Sequence, residues 1–252
     1  MGFWLNEDLI NGNEHYPRNN AFEDFTNVYQ WAASAGIFYE RMVERIHKDK
    51  DAFSTVGVFQ LMKEPLQNTE NGDTNWLVEH FYPSAIDRIR AKENALDVPG
   101  SVALHITVMD DKWDPGGNPT RSLNETQKDN LLFGDHNYEI YLVSKTSSKS
   151  DMIQDASRDN RKSNVSPKIV GEWSLAFDDK GDNFLPMTGN HASAYYRWFA
   201  AQQRKYEELN RRVFWTWKQT RIFPTLSNGI IKAVEAGDIS KDLTAQYNEN
   251  PC

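Results

Sequence analysis

The sequence predicts an α/β fold assembled from successive parallel βα units, and three observations carry that expectation. Short apolar runs near residues 56, 103, 132, 169 and 213 are separated mostly by stretches with helical apolar spacing. Strands that alternate with helices need crossover connections, and crossovers of this kind make parallel sheets. The carboxyl ends of the runs also collect the residues with chemistry: Glu64, His136, Glu172 and Trp217 each lie at the end of a different run. Barrel enzymes gather their active-site groups there. No run is followed by a glycine-rich phosphate loop, which disfavours an open, nucleotide-binding sheet. The predicted architecture is a (β/α)8 TIM barrel.

Composition narrows the partners. A chain of 252 residues with 39% hydrophobic content can bury a large core, and a single domain over 1–252 is expected. With 36 acidic against 28 basic residues, the net charge of -8 offers no footprint for nucleic acid or an anionic membrane. A neutral or cationic partner is easier to accommodate. The 8 Trp, 10 Tyr and 13 Phe supply flat apolar faces on which sugar rings can stack, although most such rings in any protein are core. Cys252 stands alone, so neither an intrachain disulfide nor a cysteine-based zinc site can form. No run of 18 apolar residues and no signal-peptide pattern occurs, so the chain as given reads as soluble and monomeric. Two sequons, at Asn124 and Asn164, have meaning only if the protein is secreted.

Along the chain, residues 1–20 read as a loop remnant carrying Trp4. From Phe22 to about Lys50 the apolar positions Phe25, Val28, Tyr29, Ala32, Ala35, Phe38, Tyr39, Met42, Val43 and Ile46 recur at helical spacing and predict a long amphipathic helix in spite of Gly36, the residue at which it could break. Thr55–Met62 reads as a strand ending in Lys63-Glu64-Pro65. A second helix is expected from Trp76 to Lys92, with Pro83 as an awkward interruption. Val102–Met109 and Leu131–Tyr138 follow as strands, and polar Ser144–Pro167 reads as a long mobile loop.

Ile169–Phe177 is an apolar run that delivers Glu172 between Gly171 and Trp173. Such a run reads as a strand buried on both faces. Ala192–Leu209 has the spacing of a helix whose aromatic stripe, Tyr195, Trp198, Phe199 and Tyr206, is packing. Arg212–Trp217 closes the series as a strand, and 219–252 reads as a C-terminal helix or tail. Two carboxylates on separate strand ends are what glycoside hydrolysis requires, and Glu64 and Glu172 are the pair on offer.

Several segments in order carry a family likeness: Leu61-Met-Lys-Glu-Pro65, Asp135-His-Asn-Tyr138, Val170-Gly-Glu-Trp-Ser174 and Val213-Phe-Trp-Thr-Trp-Lys218. Gly2–Asp8, His105–Trp113 and Trp198–Gln202 join them. Together these segments resemble glycoside hydrolase family 5, in particular its fungal glucan endo-1,6-β-glucosidases and exo-1,3-β-glucanases. The resemblance implies a barrel of glycosidase type that hydrolyses β-glucan with retention and without a cofactor. It implies Glu172 as nucleophile and Glu64 as acid/base. His136 and Tyr138 match the pair that borders the reacting sugar, and Trp215 and Trp217 lie in the motif that forms its aromatic platform, with Trp217 favoured. Trp4 lies in the first matched segment and joins the expected substrate contacts. It also implies an extracellular or cell-wall location. His136 as a core histidine and Trp215 as barrel core remain the competing readings.

Two departures matter. Where the family has Asn before the acid/base, this chain has Lys63, whose ammonium beside Glu64 would favour the ionised carboxylate over the protonated acid. The family's first strand and its third, the latter ending in a His-Gly context, have no counterpart. The predicted barrel is therefore incomplete. The alternative to an active hydrolase is an inactive glucan-binding pseudoenzyme or a truncated gene product.

Overall fold

In the computed structural model the residues described are 25–62, 77–109, 117–138, 149–158, 167–175, 192–209, 211–214, 230–237 and 239–248. The chain divides into two compact units, Met1–Gly134 with Ser163–Pro167, and Asp135–Lys162 with Lys168–Cys252.

In the first unit, helix α1 (Phe25–Lys48) buries Ala35, Tyr39, Val43 and Ile46 of the stripe its spacing predicts, while Phe38, predicted on the same stripe, is exposed. The helix runs through Gly36 without a break. A Cβ at Gly36 would lie 2.7 Å from Cδ of Arg88, so the glycine leaves room for that side chain and makes no bend. A single turn, α2 (Lys50–Phe53), is capped by the Asp49 side chain. Strand β1 (Val58–Gln60) is shorter than the apolar run that announced it.

Helix α3 (Tyr82–Ala95) follows a π-helical turn at Leu77–Phe81. Pro83 does not interrupt it. It sits in the first α-helical turn after the π-helical one, where its fixed φ suits the helix. The apolar face of α3, Tyr82, Ala85, Ile86 and Ile89, packs against α1. Fully burying each isoleucine contributes about 1.5–3 kcal/mol.

Glu93 is the charged residue on that face, and it is only 2% exposed. Its carboxylate accepts from His47 Nε2 at 3.2 Å, Arg90 Nη1 at 2.6 Å and the Leu104 backbone N–H at 2.8 Å. The helix pair and the entry to strand β2 (His105–Met109) are thereby tied to one buried acid. His47 is part of this cluster.

Strand β3 (Leu131–Asn137) passes from the first unit into the second. In the first unit the order is β1-β2-β3, with parallel pairing of Val58 with His105 and of Ile106 with Leu131. Gly134 faces β2 where a Cβ would lie 2.6 Å from Thr107 Cγ2.

In the second unit β3 is followed by β4 (Lys168–Trp173) and β5 (Arg211–Phe214), and the β4–β5 pairing is again parallel. An α/β arrangement of parallel strands with intervening helices is what the sequence predicted. Helix α4 (Lys149–Arg158) corrects the expected loop over 144–167. Its ten residues hide among polar neighbours, yet Ile153 and Ala156, one turn apart, are buried against α5 (Ala192–Glu207). Helix α5 carries the expected stripe: Tyr195, Trp198, Phe199 and Tyr206 are all buried. The tail resolves into two short helices, α6 (Ile230–Ala236) and α7 (Leu243–Asn248). Among the described residues no helix is long and apolar enough to cross a membrane.

Candidate active site

The candidate site is built in the second unit from the carboxyl ends of β3 and β4. Alternation along β3 turns His136 and Tyr138 to one face and Asn137 to the other. On the first face both side chains reach Glu172 on β4. The Tyr138 hydroxyl donates to Glu172 Oε2 at 2.6 Å, and His136 Nδ1 lies 3.5 Å from the same oxygen. His136 and Glu172 are 7% and 6% exposed, so the carboxylate is taken out of bulk water and compensated by these neighbours.

A strand irregularity aims Glu172 at them. Val170 pairs with Arg212 and Trp173 with Phe214, so Gly171 and Glu172 together oppose Val213 alone. This is a β-bulge. Because of it, Val170 and Trp173, an odd number of residues apart, both join the core beneath α5. Glu172 is then turned away from that core. A regular strand would have put Glu172 on the same face as Val170.

Gly171 suits the same geometry. A Cβ there would lie 3.3 Å from His136 Nε2, a tight contact that would ask the imidazole to give by a few tenths of an ångström. The sequence singled out Gly171 as a neighbour of the acid. A glycine inside a strand next to a carboxylate is also the signal that would have revealed the bulge.

Behind the site the packing is aromatic. Trp173 is fully buried with ring centroids 5.1 Å from Phe199, 5.2 Å from Tyr206 and 5.0 Å from Phe214. Arg212 stacks its guanidinium 5.5 Å over the indole and pairs with Glu207 at 2.7 Å. Asp135 and Lys168, both buried, approach to 4.0 Å. Neither had a role in the sequence reading.

The structure thus brings together Glu172, His136 and Tyr138. The other expected site residues, Glu64, Lys63, Trp4, Trp215 and Trp217, lie outside the described residues. Among the described residues no group of three or more His, Cys, Asp or Glu side chains is placed to hold a metal.

Comparison with known proteins fixes the kinship. No family model matches the chain. Glucan endo-1,6-beta-glucosidase B of Emericella nidulans is 31% identical over an alignment that covers the whole of this chain and 69% of the relative. A probable glucan endo-1,6-beta-glucosidase B of Aspergillus terreus is 30% identical, covering the whole chain and 70% of the relative. Its namesake in Aspergillus fumigatus is 30% identical over 86% of this chain and 63% of its own length. The solved structure of AoRut aligns with 82% of this chain and 56% of its own, at 16% identity and a TM-score of 0.46.

Parallel βα units define the class as an α/β protein, and its relatives are glycoside hydrolases by name. Within that class the chain belongs to the family of the glucan endo-1,6-beta-glucosidases B.

Proposed function

We propose that this chain hydrolyses β-glucan, at β-1,6 or β-1,3 linkages, with Glu172 as nucleophile and Glu64 as acid/base. The observation that carries the reading is the hydrogen bond from Tyr138 to Glu172 with His136 at 3.5 Å, set on adjoining ends of two strands. The relatives' names supply the reaction class.

In retaining hydrolysis the nucleophile must be ionised and held in one orientation while it attacks the anomeric carbon. The Tyr138 hydroxyl fixes the Glu172 carboxylate by donating to its Oε2. His136, seated in the room left by Gly171, borders the same carboxylate. Glu64 then protonates the leaving oxygen and afterwards draws a proton from water. Trp217, Trp215 and Trp4 supply faces for the glucose rings. The fold is an incomplete (β/α)8 barrel of glycosidase type, without the family's first and third strands, and the protein works outside the cell or in the cell wall, as a monomer.

A second reading, a glucan-binding pseudoenzyme or truncated gene product, draws on Lys63 and on the alignment itself. The match to the Emericella nidulans relative runs to 296 positions against 252 residues here, so the relative has residues facing gaps in this chain. Turnover separates the two. Purified protein incubated with β-1,6-glucan and β-1,3-glucan should release reducing ends, and Glu172→Gln should abolish the release. Retarded migration in glucan-containing gels without any release would favour the pseudoenzyme.

A further inference from the structure

Between the two β3 residues that touch Glu172 stands Asn137, which points the other way, into α5. Its Nδ2 donates to the Tyr206 hydroxyl at 2.6 Å. That hydroxyl donates to Gln202 Oε1 at 3.2 Å, and Gln202 Nε2 reaches the backbone carbonyl of Ser174 at 3.5 Å. Every member is buried: Asn137 and Tyr206 are 1% exposed, Gln202 0% and Ser174 2%. Two side chains one turn apart on α5 therefore grip β3 between His136 and Tyr138, and β4 two residues beyond Glu172.

We propose that Tyr206 and Gln202 are positioning residues that set the end of β3 against the end of β4, and so fix the Tyr138–Glu172 hydrogen bond. The inference rests on Glu172 acting as the nucleophile. The physical ground is that a buried polar chain with its members satisfied has one low-energy arrangement. Removing one member takes a buried hydrogen bond from its neighbours, a cost the strands relieve by shifting. The Tyr206 ring also abuts Trp173, the residue after Glu172, so ring and hydroxyl act on the same strand end. Packing alone does not require the hydroxyl, since phenylalanine would fill the same space against Trp173.

The test is Tyr206→Phe, which keeps the ring, examined alone and combined with Tyr138→Phe. In the single variant kcat on β-glucan should fall about tenfold with KM within about twofold. In the Tyr138→Phe background the same change should have almost no further effect, because the bond it protects is already gone. Unchanged kcat, or an equal fall in both backgrounds, would overturn the proposal in favour of a merely structural role.

A readout free of turnover keeps this apart from the functional reading. In protein labelled with carbon-13 at the tyrosine ring carbon bearing oxygen, the Tyr138 signal, assigned through Tyr138→Phe, should move in Tyr206→Phe. A stationary signal contradicts the proposal. A moving signal without any glucan hydrolysis supports the positioning role and sinks the hydrolase. Gln202→Met, close in volume, serves as the second variant if Tyr206→Phe does not fold, with the same signature expected. Failure of both to fold would give the chain of bonds a purely stabilising role and overturn the proposal.

Discussion

At the residue scale the account turns on what surrounds one carboxylate. The Tyr138 hydroxyl at 2.6 Å from Glu172 is a charge-assisted hydrogen bond in a buried setting, a class worth about 1.5–3 kcal/mol. If that bond orients the attacking oxygen in the transition state, Tyr138→Phe should lower kcat by roughly 10- to 150-fold with the fold intact. Steady-state kinetics beside an unchanged circular dichroism spectrum would check this, and a wild-type kcat would remove Tyr138 from the site. Glu172, His136 and Tyr138 were legible in the sequence because each closes an apolar run. The bulge at Gly171–Glu172 was not, because strict alternation is the default from which a bulge departs, and only the glycine hinted at it. Asn137 and Tyr206 were invisible as a pair, since nothing in a sequence brings a strand residue and a helix residue 69 positions apart into hydrogen-bond contact.

At the scale of elements, the first unit depends on one buried acid. Glu93→Ala would strand His47, Arg90 and the Leu104 N–H, so unfolding free energy should drop by about 3–5 kcal/mol, read as a lower denaturant midpoint. A loss under 1 kcal/mol would mean that the cluster is not structural.

A surface acid between the same helices gives a pH test. Glu44 accepts from Lys48 on its own helix and from Lys92 on α3, and these bonds hold its carboxyl down to about 2 from an ordinary 4.5. Because the folded value is the lower one, the stabilisation is present above about 4.5 and disappears as pH falls through about 2. In Glu44→Gln the denaturant midpoint should decline less steeply than in the parent between those values. The exposure of Glu44 keeps the difference small. Parallel curves would contradict it.

The helices also show where pattern reading fails. α1 and α5 were legible because their buried residues repeat over many turns. α4 was not: only Ile153 and Ala156 among the residues of known burial on its ten-residue span are buried, too few to stand out from a polar background. Gly36 and Pro83 looked like breaks because composition records a residue's propensity and not its place. One lies under Arg88 and the other in a first turn.

At the scale of the whole molecule, a net charge of -8 and a neutral polysaccharide substrate make a further expectation. Electrostatic steering contributes little to the encounter with an uncharged chain, so KM for β-glucan should change by less than about twofold between 50 and 300 mM salt. A strong salt dependence would point to a charged ligand instead. Among the described residues the alternation of strands and helices was readable except at α4, and so was the kinship, because the motifs occur in order from Gly2 to Lys218.

Covalent trapping tests the central claim, that Glu172 is the nucleophile of a retaining β-glucanase, most directly. A fluorinated glucoside with a good leaving group, whose glycosyl-enzyme turns over slowly, should add one sugar mass to the protein. Peptide mapping should then place that mass on Glu172, and Glu172→Gln should take up none. A sugar found on another carboxylate, or no adduct from a preparation that releases reducing ends from β-glucan, would contradict the account.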